Sequence, residues 1–139
     1  MKYIHYGNSK FIPDLFIPIK NEPFRNKPRG GLWACNAETD DWSVWCHYED
    51  VFLDCLQESF TFKLKPDTRF LVLNSEETIR NLPQVMKKDY VTYYPDFEKI
   101  SKDYDVIVYE CNEETYRALY GWDLDSILIL NKEVIIYGD

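Results

Sequence analysis

Three stretches of this 139-residue chain hold residue types at spacings that suit chemistry on a bound ligand. His5, Tyr6 and Gly7 close the first apolar–polar alternation. A histidine at a strand end offers a hydrogen-bonding ring, and a following glycine lets a ligand approach backbone amides closely. A half-exposed sheet histidine before a turn explains the same residues. Lys27-Pro28-Arg29-Gly30-Gly31-Leu32-Trp33 sets two cations and two glycines ahead of an apolar run. That order suits a phosphate-tolerant turn beside an aromatic platform, or simply a strand entry that needs positive φ. Its spacing matches neither a Walker A loop nor G-x-G-x-x-G. Tyr120-Gly121-Trp122-Asp123-Leu124-Asp125-Ser126 places two carboxylates just before the most apolar run of the chain. In an extended segment Asp123 and Asp125 point the same way. A carboxylate held over a pocket by a rigid strand is one use of such a pair; a polar loop closing a helix is the other.

Other reactive residues point nowhere in particular. Cys35, Cys46, Cys55 and Cys111 contain no C-x-x-C pair, and the two histidines, His5 and His47, lie far apart. Neither a zinc ribbon nor a thioredoxin motif fits, so reduced, partly buried thiols and no metal are the expectation. Glu76, Glu77, Glu110, Glu113 and Glu114 suit helix N-terminal turns and a strand end.

The elements that must position these residues follow from periodicity and punctuation. Lys2 to Tyr6, Leu32 to Cys35, Ser59 to Leu64, Arg69 to Leu73, Asp105 to Tyr109 and Ser126 to Leu130 read as strands. Phe60, Phe62 and Leu64 alternate on one face of theirs. Glu133 to Tyr137 reads as a last, edge strand, joined to the preceding one by a tight Asn131-Lys132 connection. Val91 to Tyr94 is a strand or an extended loop. Trp42, Trp45 and Cys46 fall at helical spacing behind an N-cap at Thr39 or Asp40, and both tryptophans read as core. Further helices are predicted over Glu76 to Leu82, with Ser75 and Thr78 lacking the Glu of a capping box, over Pro95 to Tyr104 with Pro95 at its first position, and over Glu113 to Tyr120 before Gly121. Phe11 to Arg29 carries prolines 13, 18, 23 and 28, which forbid helix and central strand. Its apolar residues, Phe11, Ile12, Leu15, Phe16, Ile17 and Phe24, argue for a packed, functional loop. The strands and helices do not alternate regularly, so the fold class is α+β: a single domain over residues 1–139, with a mixed or antiparallel sheet core and three or four short helices.

Composition limits the function. Aromatic residues make up 17% of the chain, which excludes disorder. A net charge of −8 excludes a uniformly basic grip on nucleic acid. No run approaches the roughly 18 apolar residues of a membrane span. The N-terminal MKYIHYGNSKF lacks the apolar stretch of a secretory signal, so a cytoplasmic protein is expected.

Taken in order, these features resemble the ADP-ribosyltransferase fold of the diphtheria-toxin and poly-ADP-ribose-polymerase branch. A histidine on the first strand is followed by Gly31-Leu32-Trp33 on the second, and an acid precedes a late strand ending Ile129-Leu130-Asn131. The resemblance implies an NAD-binding enzyme that transfers ADP-ribose to a macromolecular target and releases nicotinamide. His5 would bind ribose, Gly7 and its neighbours nicotinamide, and Trp33 would take the aromatic slot after Gly31. Tyr6 and Trp45 are candidates for stacking. Asp125 best matches the acid, then Asp123, then Glu110. An aspartate here stands where that family usually has a glutamate, a tryptophan where it has a tyrosine, and Tyr6 separates the histidine from its glycine. The loop from Phe11 to Arg29 would cover the pocket or read the target. The alternative is a non-catalytic interaction or inhibitor protein with an acidic, aromatic-rich surface.

Overall fold

Along residues 1–23, 25–86 and 93–138, which the computed structural model describes, the chain forms β1 (Tyr3–Tyr6), β2 (Leu32–Asn36), α1 (Asp41–Glu49), β3 (Ser59–Leu64), β4 (Phe70–Leu73), α2 (Glu76–Arg80), β5 (Gln84–Met86), β6 (Tyr93–Pro95), α3 (Phe97–Asp103), β7 (Val106–Tyr109), α4 (Glu113–Ala118), β8 (Ser126–Ile129) and β9 (Ile135–Ile136). Seven strands make one sheet in the order β4-β7-β8-β2-β1-β3-β9. Only β4 and β7 run parallel; every other neighbouring pair in it is antiparallel. The architecture is thus α+β with a mixed sheet and four helices. Phe24, Val91 and Thr92, to which the sequence assigned an apolar anchor and part of a strand, lie outside the described residues.

Side-chain alternation splits the core between the sheet's two faces. Ile107, Tyr109 and Leu128 join Leu73, Ile79, Phe97, Ile100, Leu119 and Trp122 on the face that the helices cover. Val106, Ile127 and Ile129 turn the other way and pack with Ala34, Phe60, Phe62 and Val134. Burial on both faces explains why β7 and β8 are unbroken apolar runs. Strand β3 instead buries Phe60 and Phe62 while Ser59, Thr61 and Lys63 face solvent.

Local chemistry departs from expectation in five places. Ser75 does head a capping box, because the Thr78 hydroxyl replaces the expected Glu and accepts from the Ser75 amide at 3.1 Å. Thr115 does the same for Asn112 at 2.9 Å. Pro95 closes β6 rather than opening α3, whose N-cap is Asp96. Gln84–Met86, not expected as a strand, pairs with β6. The last strand does not fold back on β8. Lys132–Val134 make a 3-10 turn, and Ile135–Ile136 pair with β3 as the expected edge strand, because β7 and β2 already occupy both sides of β8. Asn131 directs this turn: its side chain accepts from the Glu133 amide and donates to Asp105.

The proline-spaced loop packs through only part of its apolar set: of the expected anchors Ile12, Leu15 and Ile17 are exposed, because their side chains leave the sheet where the chain turns outward. Ile19 is buried in the helix-side core. Phe11 and Phe16 pack on the other face. Two glycines make this passage possible. The chain at Ile17 and Pro18 crosses directly over Gly30, where a Cβ would overlap both carbonyls. At Gly31 (φ +72°) a Cβ would lie 2.8 Å from the Ile129 carbonyl. Both positions need the left-handed backbone that glycine adopts without penalty.

Candidate functional site

Strand β2 lies between β8 and β1 and pairs with one on each edge. Leu32, Trp33 and Ala34 pair with β8, whereas Cys35 and Asn36 pair with Ile4 and Tyr3 of β1. Beyond Ile4 and Cys35 the two strands part, and a cleft of about 450 Å³ opens between them. Ile4, His5 and Tyr6 of β1 and Trp33, Ala34 and Cys35 of β2 line it.

His5 spans the opening. Its Nδ1 lies 2.6 Å from the Trp33 carbonyl oxygen. A carbonyl only accepts, so Nδ1 carries the proton and donates, and Nε2 remains an acceptor on the neutral ring. Burial lowers the pKa of His5, and the bond to Trp33 opposes that shift in part. The ring is therefore neutral at pH 7.

Helix α1 supplies an aromatic wall. Trp42 stacks on Trp45 with ring centroids 5.4 Å apart and on Phe52 at 6.2 Å, and all three rings line the cleft. Tyr6 ties this wall to β1, its hydroxyl donating to Asp40 Oδ1 at 2.6 Å. Burial and Asp40 together hold the Tyr6 phenol protonated well beyond neutral pH. Asp40 sits at the expected N-cap, yet its side chain serves Tyr6 and makes no capping bond. Among the described residues, the non-glycine positions with positive φ are Asp40, Asp50 and Phe52, all flanking α1. A left-handed backbone costs about 1–2 kcal/mol per residue, and at Phe52 it holds a 63% exposed ring against Trp42.

The far side comes from the proline-spaced loop and the segment before β8. Lys27 Nζ stands 5.8 Å from the ring centre of Trp33. Arg25, Trp122, Asp123 and Ser126 complete this side. Trp122 is 2% exposed and meets Trp33 edge-on at 5.0 Å, and its indole N–H donates to the Asn26 carbonyl.

Of the residues singled out by sequence, His5, Tyr6, Trp33, Trp45 and Asp123 come together in this cleft. Asp125 is not part of its lining. Its carboxylate accepts from the Cys111 amide at 2.6 Å. The pairing of Tyr109 with Ser126 places Asp125 beside the chain that leaves β7. Gly7 lies past the cleft, its amide bonded to the Glu58 carbonyl, and Gly31 packs beneath the loop. Arg29, the second cation of the glycine motif, is paired to Glu22 at 2.8 Å. Sequence reading missed Arg25, Phe52 and Trp122, and placed Trp42 in the core. The helical spacing of Trp42 and Trp45 was visible, but not that their shared face looks across at β1 rather than into the core.

Cys35 also lines the cleft, and burial pushes its thiol up to about 11, so it is a poor nucleophile. All four cysteines are free. Among the described residues no three His, Cys, Asp or Glu side chains gather as a metal site, and no helix is long and apolar enough to cross a membrane. Compared with models of known protein families, with curated proteins and with solved structures, the chain matches none.

Proposed function

We propose that the cleft binds NAD and that the protein is an ADP-ribosyltransferase-like enzyme, which transfers ADP-ribose to a macromolecular target and releases nicotinamide. One observation carries this reading. His5, Tyr6, Trp33, Trp45 and the carboxylate of Asp123 are separated by up to 118 positions and line a single aromatic cleft. Its volume of about 450 Å³ suits a small-molecule ligand.

The following roles fit the cleft. An exposed ring face in the cleft stacks on the nicotinamide. Neutral His5, its Nδ1–H committed to Trp33, accepts a ribose hydroxyl at Nε2. The bond from the sugar C1′ to the pyridinium nitrogen breaks with its electron pair going to nitrogen, so nicotinamide leaves neutral. Positive charge then spreads over C1′ and the ring oxygen, as in glycoside hydrolysis. Asp123 is the carboxylate placed to oppose that charge. A nucleophile of the target attacks C1′ and gives up its proton to solvent.

Calorimetric titration with NAD, together with an assay of nicotinamide release, tests this reading. Asp123→Asn is expected to lower turnover about 100-fold or more while leaving binding nearly intact. Asp125→Asn is expected to leave turnover unchanged, and His5→Ala to weaken binding. No heat of binding at millimolar NAD ends the proposal, and loss of turnover in Asp125→Asn but not Asp123→Asn overturns the assignment of the acid.

A further inference from the structure

We propose that Arg25 and Lys27 form an anion subsite for the diphosphate of the ligand, an inference that rests on the dinucleotide reading above. The chain as a whole carries a net charge of −8. The cleft reverses that balance: its charged lining residues are Arg25, Lys27 and the single carboxylate Asp123, and His5 is neutral. Among the described residues the ion pairs are Arg29–Glu22, Arg69–Asp105 and Arg80–Glu76, so neither cleft cation is spent on a carboxylate in contact.

Lys27 is held where an anion would gain most. Its ammonium lies over the face of Trp33, half withdrawn from water. Burial and the nearby charge of Arg25 both disfavour its protonated form, and Asp123 only partly offsets them. A negatively charged ligand would offset both by direct attraction. Arg25 adds a planar fork of donors suited to phosphate oxygens.

The loop that bears both cations is tied down at several points. Lys20 and Arg29 exchange backbone hydrogen bonds at 3.0 and 2.8 Å and close its base. Asn21 anchors one arm to α3: its Oδ1 accepts from the Phe97 amide at 2.8 Å and its Nδ2 donates to Asp96 at 2.8 Å. Asn26, between the two cations, donates to the Tyr120 carbonyl and accepts from the Trp122 indole. These anchors reduce the backbone entropy lost when Arg25 and Lys27 meet a ligand at the cleft.

Calorimetry on the full chain with NAD, nicotinamide riboside and ADP distinguishes the possibilities. The wild type should bind NAD at least tenfold more tightly than nicotinamide riboside, and added salt should narrow that gap. Arg25→Gln and Lys27→Met should each weaken NAD and ADP about tenfold and leave the riboside unaffected. Lys27→Arg should keep NAD affinity within a few-fold. Equal affinity of the wild type for NAD and the riboside, or unchanged NAD binding in the double variant, overturns the subsite but spares the nicotinamide reading. A loss of riboside affinity in Lys27→Met assigns Lys27 to support of Trp33 and overturns its anion role. Binding of ADP without the riboside supports the subsite and overturns the nicotinamide reading. Absence of binding by NAD and ADP alike overturns both.

Discussion

Replacing Asp105 with asparagine removes the charge that joins three segments of the sheet. Asp105 is 5% exposed and immediately precedes β7. Its carboxylate accepts from the Arg69 amide at 2.9 Å, from Arg69 Nε at 3.2 Å and Nη2 at 3.0 Å, and from Asn131 Nδ2 at 3.1 Å. It therefore links the entrance of β4, the start of β7 and the turn after β8. These bonds, led by the Arg69 side chain, hold its pKa at about 2 instead of the ordinary 3.8. That difference corresponds to ~2.5 kcal/mol at neutral pH. The Arg69 side chain is 54% exposed, so water screens its share and leaves ~1–2 kcal/mol. In Asp105→Asn the new amide N–H also faces donors, which adds ~1 kcal/mol. The expected loss is thus ~2–3 kcal/mol, or a fall of roughly 8–10 °C in Tm. Because the folded pKa is depressed, the charge-dependent part is fully present above about pH 5 and fades as pH falls toward 2. Urea unfolding followed by tryptophan fluorescence measures it, since Trp122 is buried in the core. The gap between wild type and variant should shrink steadily between pH 5 and pH 2.5. A gap below ~0.5 kcal/mol at pH 7, or one constant over that pH range, refutes the reasoning.

Two further substitutions bear on the frame of the cleft. Gly30→Ala should destabilise by ~2–4 kcal/mol, because the new Cβ meets the carbonyls of Ile17 and Pro18 as well as a left-handed backbone; Gly7→Ala, whose Cβ meets nothing within 4 Å, should cost the ~1–2 kcal/mol of its positive φ alone by thermal unfolding. Tyr6→Phe removes the hydroxyl that holds Asp40 and should cost ~1–2 kcal/mol while altering the emission of the Trp42–Trp45 pair; unchanged stability and spectrum would show that α1 is positioned without it.

The elements themselves were largely legible. Alternation in SFTFKL, the two-sided apolar runs of β7 and β8, and the Ser75 and Asn112 caps are local signals, written in residues a few positions apart. The same locality explains the errors. Asn131-Lys132 reads as a hairpin turn, but pairing is decided by which edge has room for Ile135, and that edge belongs to β3. Asp123 and Asp125 were equivalent by periodicity. The β7–β8 register separated them, leaving Asp125 beside Cys111 and Asp123 at the cleft.

Sequence by itself determined the α+β class, most strand and helix positions, and the residue types that suit a flat, polar-ended ligand. Tertiary structure alone decided that the pairing of β1 with β2 ends at Ile4 and Cys35, beside which the cleft lies. It also decided that Arg25 and Lys27 enter that cleft while Arg29 turns away to Glu22. The physical reason is common to both. Hydrogen-bond pairing and burial are settled between segments tens of residues apart, and no local pattern records which distant partner wins.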